Sequence, residues 1–280
     1  MKIFTDSTAD LSTEEYARHA IGVVPLTIHL GDKTWRDFLD IEPETYYGML
    51  KTSEAFPTTS QPSPQDFVDA FRPFVEKGEP ILSVHLSSRV SGTFQSASLA
   101  RTHFPDARIE VIDSLQASLG VGLILLLCGK ELESGSSFEE LVDFTRALIP
   151  RIQTYFSVDS LDHLYKGGRI GKAQAFLGTL MKIKPVLRLS EGEIQPFDKV
   201  RTTERLLVRF VEIIEKAAQE QGPLRLSIAE SGNGEVVTDL LERFLAIPGV
   251  SLVHRCKLGG VITSHVGTGT IGITFVPSPG

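Results

Sequence analysis

Residues 81–97 read ILSVHLSSRVSGTFQSA, and this stretch decides the fold. Ile81–Leu86 is a short apolar run bounded by polar residues, the pattern of a buried strand. Ser87, Ser88, Arg89, Val90 and Ser91 make a polar turn, and Gly92–Phe104 then reads as a helix. Strand, hydroxyl-rich turn and helix form half of a βαβ unit. The alternation continues outwards in both directions. Lys2–Phe4 and Ile109–Ile112 are further strands, and Ser12-Thr13-Glu14-Glu15 is a capping box that starts a helix. Pro43–Leu50, Ala117–Leu132 and Phe138–Ile149 are helical, and Phe67, Phe71 and Phe74 recur at helical spacing. Val23–Leu30 and Lys33–Arg36 flank Gly31-Asp32, the signal for a hairpin. Strands separated by helices of this length predict a mainly parallel sheet flanked by helices.

Pro150 closes that series. A second α/β set follows: strand Thr154–Val158, a hairpin across Glu191-Gly192, helix 203–219, strand 224–229, helix 234–246 and strands 250–256 and 271–276. The expectation is two α/β domains, 1–153 mainly parallel and 154–280 mixed, with a ligand expected beyond the carboxyl ends of the strands.

Composition narrows the function. The 280 residues carry a formal charge of −7, which lacks the overall basic field that nucleic acid attracts. Two cysteines, Cys128 and Cys256, cannot make a disulfide framework or a zinc site by themselves. The chain opens on MKIFTDSTADL, without the pattern of a signal peptide. The apolar run Leu119–Cys128 is about half of the roughly 20 residues that a membrane span needs. A soluble, cytoplasmic protein is expected.

Hydroxyls and glycines concentrate where strands end. Thr5-Asp6-Ser7-Thr8, Thr58-Thr59-Ser60 and Ser91-Gly92-Thr93 are three such loops. Ser91 reads in two ways: as a plain helix cap, or with Thr93 as a neutral donor to an anion at a helix N-terminus. Neutral donors suit one carboxylate better than a triphosphate. His265 begins HVGTGTIG, which formally matches GxGxxG, but only eight residues follow Gly272, too few for the helix and acidic residue of a dinucleotide site. His265 reads either as a structural loop histidine or as a group that donates to an anion or moves a proton. There is no GxSxG elbow, P-loop or HExxH motif. His254 and Cys256 lack further ligands, so a metal is not expected. Phe176–Ile183 is strongly apolar and reads as core or as the wall of an apolar ligand tunnel.

These stretches together resemble the DegV family, whose best understood members are the FakB-type fatty-acid-binding subunits of bacterial fatty acid kinase. The matching segments are TDSTADL (5–11), TSQPSP (59–64), HLSSRVSGTFQSA (85–97), IDS (112–114), SLGVG (118–122), KGGRIGK (166–172), MKIKP (181–185) and SHVGTGTIG (264–272). They run in order along the whole chain. The resemblance implies a long-chain fatty acid between two α/β domains. Its carboxylate would lie at Thr59, Ser60, Ser91, Gly92, Thr93 and His265, and Arg201 in KVRTTER would engage the kinase partner. It also implies a non-enzymatic binding subunit without a cofactor, a separate ATP-dependent kinase, and transient membrane contact for acyl exchange. Arg89, Val90 and Phe94 depart from residues common in the family. Two rivals remain open: a serine hydrolase or acyltransferase using Ser91 with His265, and a lipid-sensing regulator without a kinase.

Overall fold

The computed structural model describes residues 1–177 and 183–278. The first part of the chain forms β1 (Lys2–Asp6), α1 (Thr13–Arg18), β2 (Gly22–Val24), β3 (Thr27–Leu30), β4 (Lys33–Arg36), α2 (Pro43–Thr52), β5 (Thr58–Ser60), α3 (Pro64–Val75), β6 (Ile81–His85), α4 (Thr93–Arg101), β7 (Ile109–Asp113), α5 (Leu119–Glu133) and α6 (Phe138–Leu148). The second forms β8 (Gln153–Ser157), α7 (Asp162–Lys166), β9 (Lys184–Ser190), β10 (Glu193–Val200), α8 (Thr203–Gln221), β11 (Leu224–Glu230), α9 (Gly234–Leu245), β12 (Val250–Lys257), α10 (Gly260–Val266) and β13 (Ile271–Pro277).

The expected α/β class is the observed one. A four-stranded sheet in the order β2-β1-β6-β7 is parallel throughout, and a six-stranded mixed sheet runs β10-β9-β8-β13-β11-β12. A small antiparallel sheet, β4-β3-β5, completes the set. Local chemistry explains the elements. Ser63 and Asp66 cap α3 reciprocally with Pro64 in its first turn, and Phe67 and Phe71 are buried. Glu191 and Gly192 both have positive φ, as a two-residue hairpin between β9 and β10 requires.

Three differences from the sequence reading have physical causes. Val23–Leu30 is two strands in different sheets, because Pro25 interrupts it and the Leu26 amide turns to donate to Ser7 Oγ. Thr58–Ser60 is a short strand on the edge of β3, where flanking prolines cost no ladder bond. His265 lies on a helix, α10, and not on a loop.

Helix α10 has no cap of its own. Its N-cap residue is Gly259, and no side chain there accepts a bond. Two buried carboxylates from the other end of the chain supply the cap. Asp10 Oδ1 accepts from the Gly259 amide at 3.0 Å, and Asp37 Oδ1 accepts from Gly260 at 3.0 Å and Val261 at 3.4 Å. Tyr46 Oη meets Ser264 Oγ, and the Tyr47 hydroxyl donates to the Leu258 carbonyl.

Helix α5 lies between the two large sheets. It packs against β6 on one side and against β8, β11, β12 and β13 on the other. Leu119, Val121, Leu123–Leu127 and Cys128 are all buried, so this apolar run is core. No helix among the described residues is long and apolar enough to cross a membrane.

Burial raises the Asp37 carboxyl to about 6, despite the bonds that favour its charged form. Its folded value lies above its ordinary one, so the stability it lends is present at low pH and fades as pH rises through about 6. Asp37→Asn keeps the accepting oxygen and removes the charge. Its stability relative to the parent should therefore improve between pH 5 and pH 8. Asp37→Ala, which orphans buried amides, should cost about 1–3 kcal/mol. Urea titrations at the two pH values check both; a pH-independent difference for Asp37→Asn would contradict the raised carboxyl.

Candidate functional site

A cavity of about 900 Å³, counted to its open mouth, lies between the parallel and mixed sheets. The first part of the chain contributes Leu26, Leu86, Val90 and Ala117 to its wall. The second contributes Phe156, Leu164, Leu189, Ile194, Leu258 and Val261, among others. These are strand ends and the first turns of helices, where an open α/β sheet presents its loops.

Among these apolar walls sits a small polar group. Thr59 Oγ1 and His265 Nε2 are 2.8 Å apart, and Ser91 and Arg169 line the same cavity. Ser91 Oγ lies 2.9 Å from Thr93 Oγ1 and accepts from the Thr93 amide at 3.3 Å. Ser91 thus sits before the N-cap, Gly92, and links the turn to the first residue of α4. Gly92 sits close against Gln61: a Cβ there would oblige the Gln61 amide to shift. Gln61 Nε2 in turn donates to Ser96 Oγ on α4, tying the Thr59 loop to the Ser91 turn.

The structure brings Thr59, Ser91 and His265 to one cavity, with Thr93 joined to Ser91. Ser60 faces elsewhere: it is exposed, and its hydroxyl meets His29 Nε2 at 2.9 Å. Alternation along a strand accounts for this, since Thr59 and Ser60 point to opposite faces. Arg201 is exposed between β10 and α8, outside the cavity lining. The apolar run 176–183 falls largely outside the described residues.

Arg169 was not singled out from the sequence. It donates from Nε to the Val90 carbonyl and from an Nη to the Gly167 carbonyl, which fixes the guanidinium at the cavity wall. The signal available was an arginine among the glycines of KGGRIG. Gly167 itself abuts the site, because a Cβ there would lie 2.7 Å from His265 Nδ1.

Electrostatics favour an anion here. Burial, with the Arg169 guanidinium and His163 nearby, pushes the His265 imidazole down to about 4. The ring is therefore neutral at pH 7. With its proton on Nε2 it donates to Thr59, whose own O–H is then free to donate into the cavity. His265 Nδ1 is buried without a hydrogen-bond partner. Two hydroxyls, a neutral imidazole and one guanidinium thus stand in the lining of an otherwise largely apolar cavity.

The nucleophile reading finds different partners. His265 Nε2 pairs with Thr59, while Ser91 pairs with Thr93. A Ser–His–Asp series exists elsewhere: Ser83 Oγ lies 2.7 Å from His85 Nε2, and His85 Nδ1 lies 2.9 Å from Asp6 Oδ2. All three residues are 0% exposed within the parallel sheet, so no substrate reaches Ser83 in this structure. On β12, His254 is held by Glu15 at 2.7 Å and the Asp10 carbonyl at 3.2 Å. No group of three or more metal-binding side chains is present among the described residues.

Fold and site define an α/β protein with a largely apolar cavity that also carries hydroxyl, imidazole and guanidinium groups. The DegV family model, described as a family of uncharacterised proteins, matches residues 1–278. The chain belongs to the DegV family. It is 32% identical to protein DegV of Bacillus subtilis over 275 residues, covering 98% of each chain. Among solved structures, a fatty-acid-binding DegV family protein from Thermus thermophilus is 38% identical, with a TM-score of 0.94 over 99% of both chains. A stearic-acid-binding protein from Eubacterium ventriosum is 31% identical, with a TM-score of 0.91 over 99% of this chain and 98% of that one.

His265 gives a pH signature. The unfolded chain takes up a proton near 6.5 and the folded one near about 4, so stability present above pH 6.5 is lost as pH falls toward 4. The His265 ring resonances should titrate with a midpoint near about 4. Arg169→Gln removes one of the positive neighbours and should move that midpoint upward, while burial keeps it below 6.5. NMR titration of both proteins measures this, and an unmoved midpoint would mean the guanidinium does not act on the ring.

Proposed function

We propose that this protein binds a long-chain fatty acid, with the alkyl chain in the apolar cavity and the carboxylate at Thr59, Ser91, His265 and Arg169. The observation that carries this reading is one cavity whose largely apolar lining also holds the bonded Thr59–His265 pair, Ser91 and Arg169. An alkyl chain gains about 0.8 kcal/mol for each buried CH₂, so the tail supplies affinity. The buried carboxylate needs partners to offset desolvation, and the donors supply orientation. The fatty-acid-binding relatives from Thermus thermophilus and Eubacterium ventriosum support the same assignment.

The further part of the proposal is presentation to a separate ATP-dependent kinase. There a carboxylate oxygen attacks the γ-phosphorus of ATP, the β–γ bridging bond breaks, and ADP leaves with the acyl phosphate formed. Support comes from the resemblance of KVRTTER and from the state of Arg201. This residue is exposed, and none of the ion pairs among the described residues engages it. Its planar guanidinium suits bidentate pairing with an acidic partner surface.

Two variants separate binding from transfer. Ser91→Ala should weaken fatty acid binding by about 1–3 kcal/mol, the usual cost of removing a donor from a charged acceptor. Calorimetry with hexadecanoate measures it, and a wild-type affinity would return Ser91 to a structural role. Arg201→Ala should leave that affinity unchanged and lower the rate of acyl-phosphate formation at limiting carrier concentration. Wild-type rates there would remove Arg201 from the docking surface.

A further inference from the structure

A glycine stands where the mixed sheet meets the apolar cavity. Gly272, on the inner strand β13, forms part of the cavity wall. It pairs with Phe156 on β8 and with Ala229 on β11, and Phe156 pairs onward with Leu187 on β9. Residues directly opposite one another on neighbouring strands share one face of the sheet. The row Leu187, Phe156, Gly272, Ala229 therefore steps from two large side chains to none and then to a methyl. Beside Phe156 the sheet carries a notch.

Neither backbone nor packing demands a glycine there. Its φ lies outside the left-handed region, and its register with both neighbouring strands is unbroken. A Cβ would meet Phe156 Cβ at an ordinary 3.8 Å and the tip of the Leu119 side chain at 3.3 Å. Leu119 need give only a few tenths of an ångström to admit it. Gly122 on α5 is different, since a Cβ there would lie 2.7 Å from the Ala9 carbonyl oxygen. A glycine inside a strand weakens it, and without a bulge or bend it marks the close approach of another group. At Gly272 the protein supplies no such group, and the space in front of it is the cavity.

Chain order places the notch along the cavity. His265 comes shortly before β13 and Arg169 shortly after β8, so both stand toward the strand ends where Gly272 and Phe156 pair. Thr154, two residues back along β8, lies about 7 Å further from those ends. It lines the cavity, whereas its partner Thr274, 2.8 Å away between hydroxyl oxygens, does not. We infer that Gly272 is a specificity-determining residue: the alkyl chain lies against the bare main chain of β13 there and continues past Phe156 toward Thr154. The inference rests on the fatty-acid reading above. Each CH₂ that passes the notch adds buried apolar area, worth about a fourfold gain in affinity. A side chain at 272 would end that gain, so this position sets the length of chain the cavity accepts.

Calorimetry with decanoate and hexadecanoate on the parent, Gly272→Ala and Gly272→Val tests this. The valine variant should bind hexadecanoate about tenfold more weakly or worse, because its branches displace CH₂ groups from the notch. It should bind decanoate within about twofold of the parent, since the shorter tail ends before the obstruction. Gly272→Ala, which the packing admits, should fold as the parent does and lose about threefold on hexadecanoate alone. Should the valine variant fail to fold, the alanine variant decides by the same comparison. Parent-like binding of hexadecanoate, or equal losses for both acids, would overturn the inference and leave the fatty-acid reading standing. If hexadecanoate fails to bind the parent protein, that reading falls and takes the inference with it.

Discussion

The geometry of the site depends on two buried carboxylates that hold a short helix by its amides. Asp10 and Asp37 bind the Gly259, Gly260 and Val261 amides, and His265 is carried on the same helix. A helix of seven residues has little intrinsic stability, and a glycine N-cap adds none through its side chain. The carboxylates remedy both faults and lock the end of the chain against its beginning. Burial raises both their proton affinities, Asp10 well above its ordinary value and Asp37 to about 6. The protein accepts that electrostatic cost where it fixes the histidine against Thr59.

The same logic runs through the cavity. A neutral imidazole, two hydroxyls and a guanidinium held by backbone carbonyls are arranged before any ligand arrives. Polar groups whose orientation is already fixed meet a ligand without a later entropic cost. The apolar wall gives no such direction.

Much of this was legible in the sequence, and the rest was hidden for specific reasons. Strands such as Ile81–His85 and the capping box of α1 carry local signals, and both are in place. The hydroxyl turns at Thr59 and Ser91 could be read as anion donors because glycine, proline and serine chemistry is local as well. Helix α10 could not be read, since its cap lies 223 residues away at Asp37. Ser60 seemed equivalent to Thr59 in the motif, yet strand alternation turns it to His29. Arg169 was visible only as part of a glycine-rich turn; its place on the wall depends on the carbonyls it grips.

Helix α5 acts as the spine of a book whose two covers are the large sheets. Each of its leucines and isoleucines fills space between covers, and stripping one from its packing costs about 1.5–3 kcal/mol. Opening the book along that spine would expose at least five of them, a sum on the order of 10 kcal/mol and comparable to the whole stability of a typical domain. The covers are therefore held at a fixed spacing, and the cavity between them keeps its width.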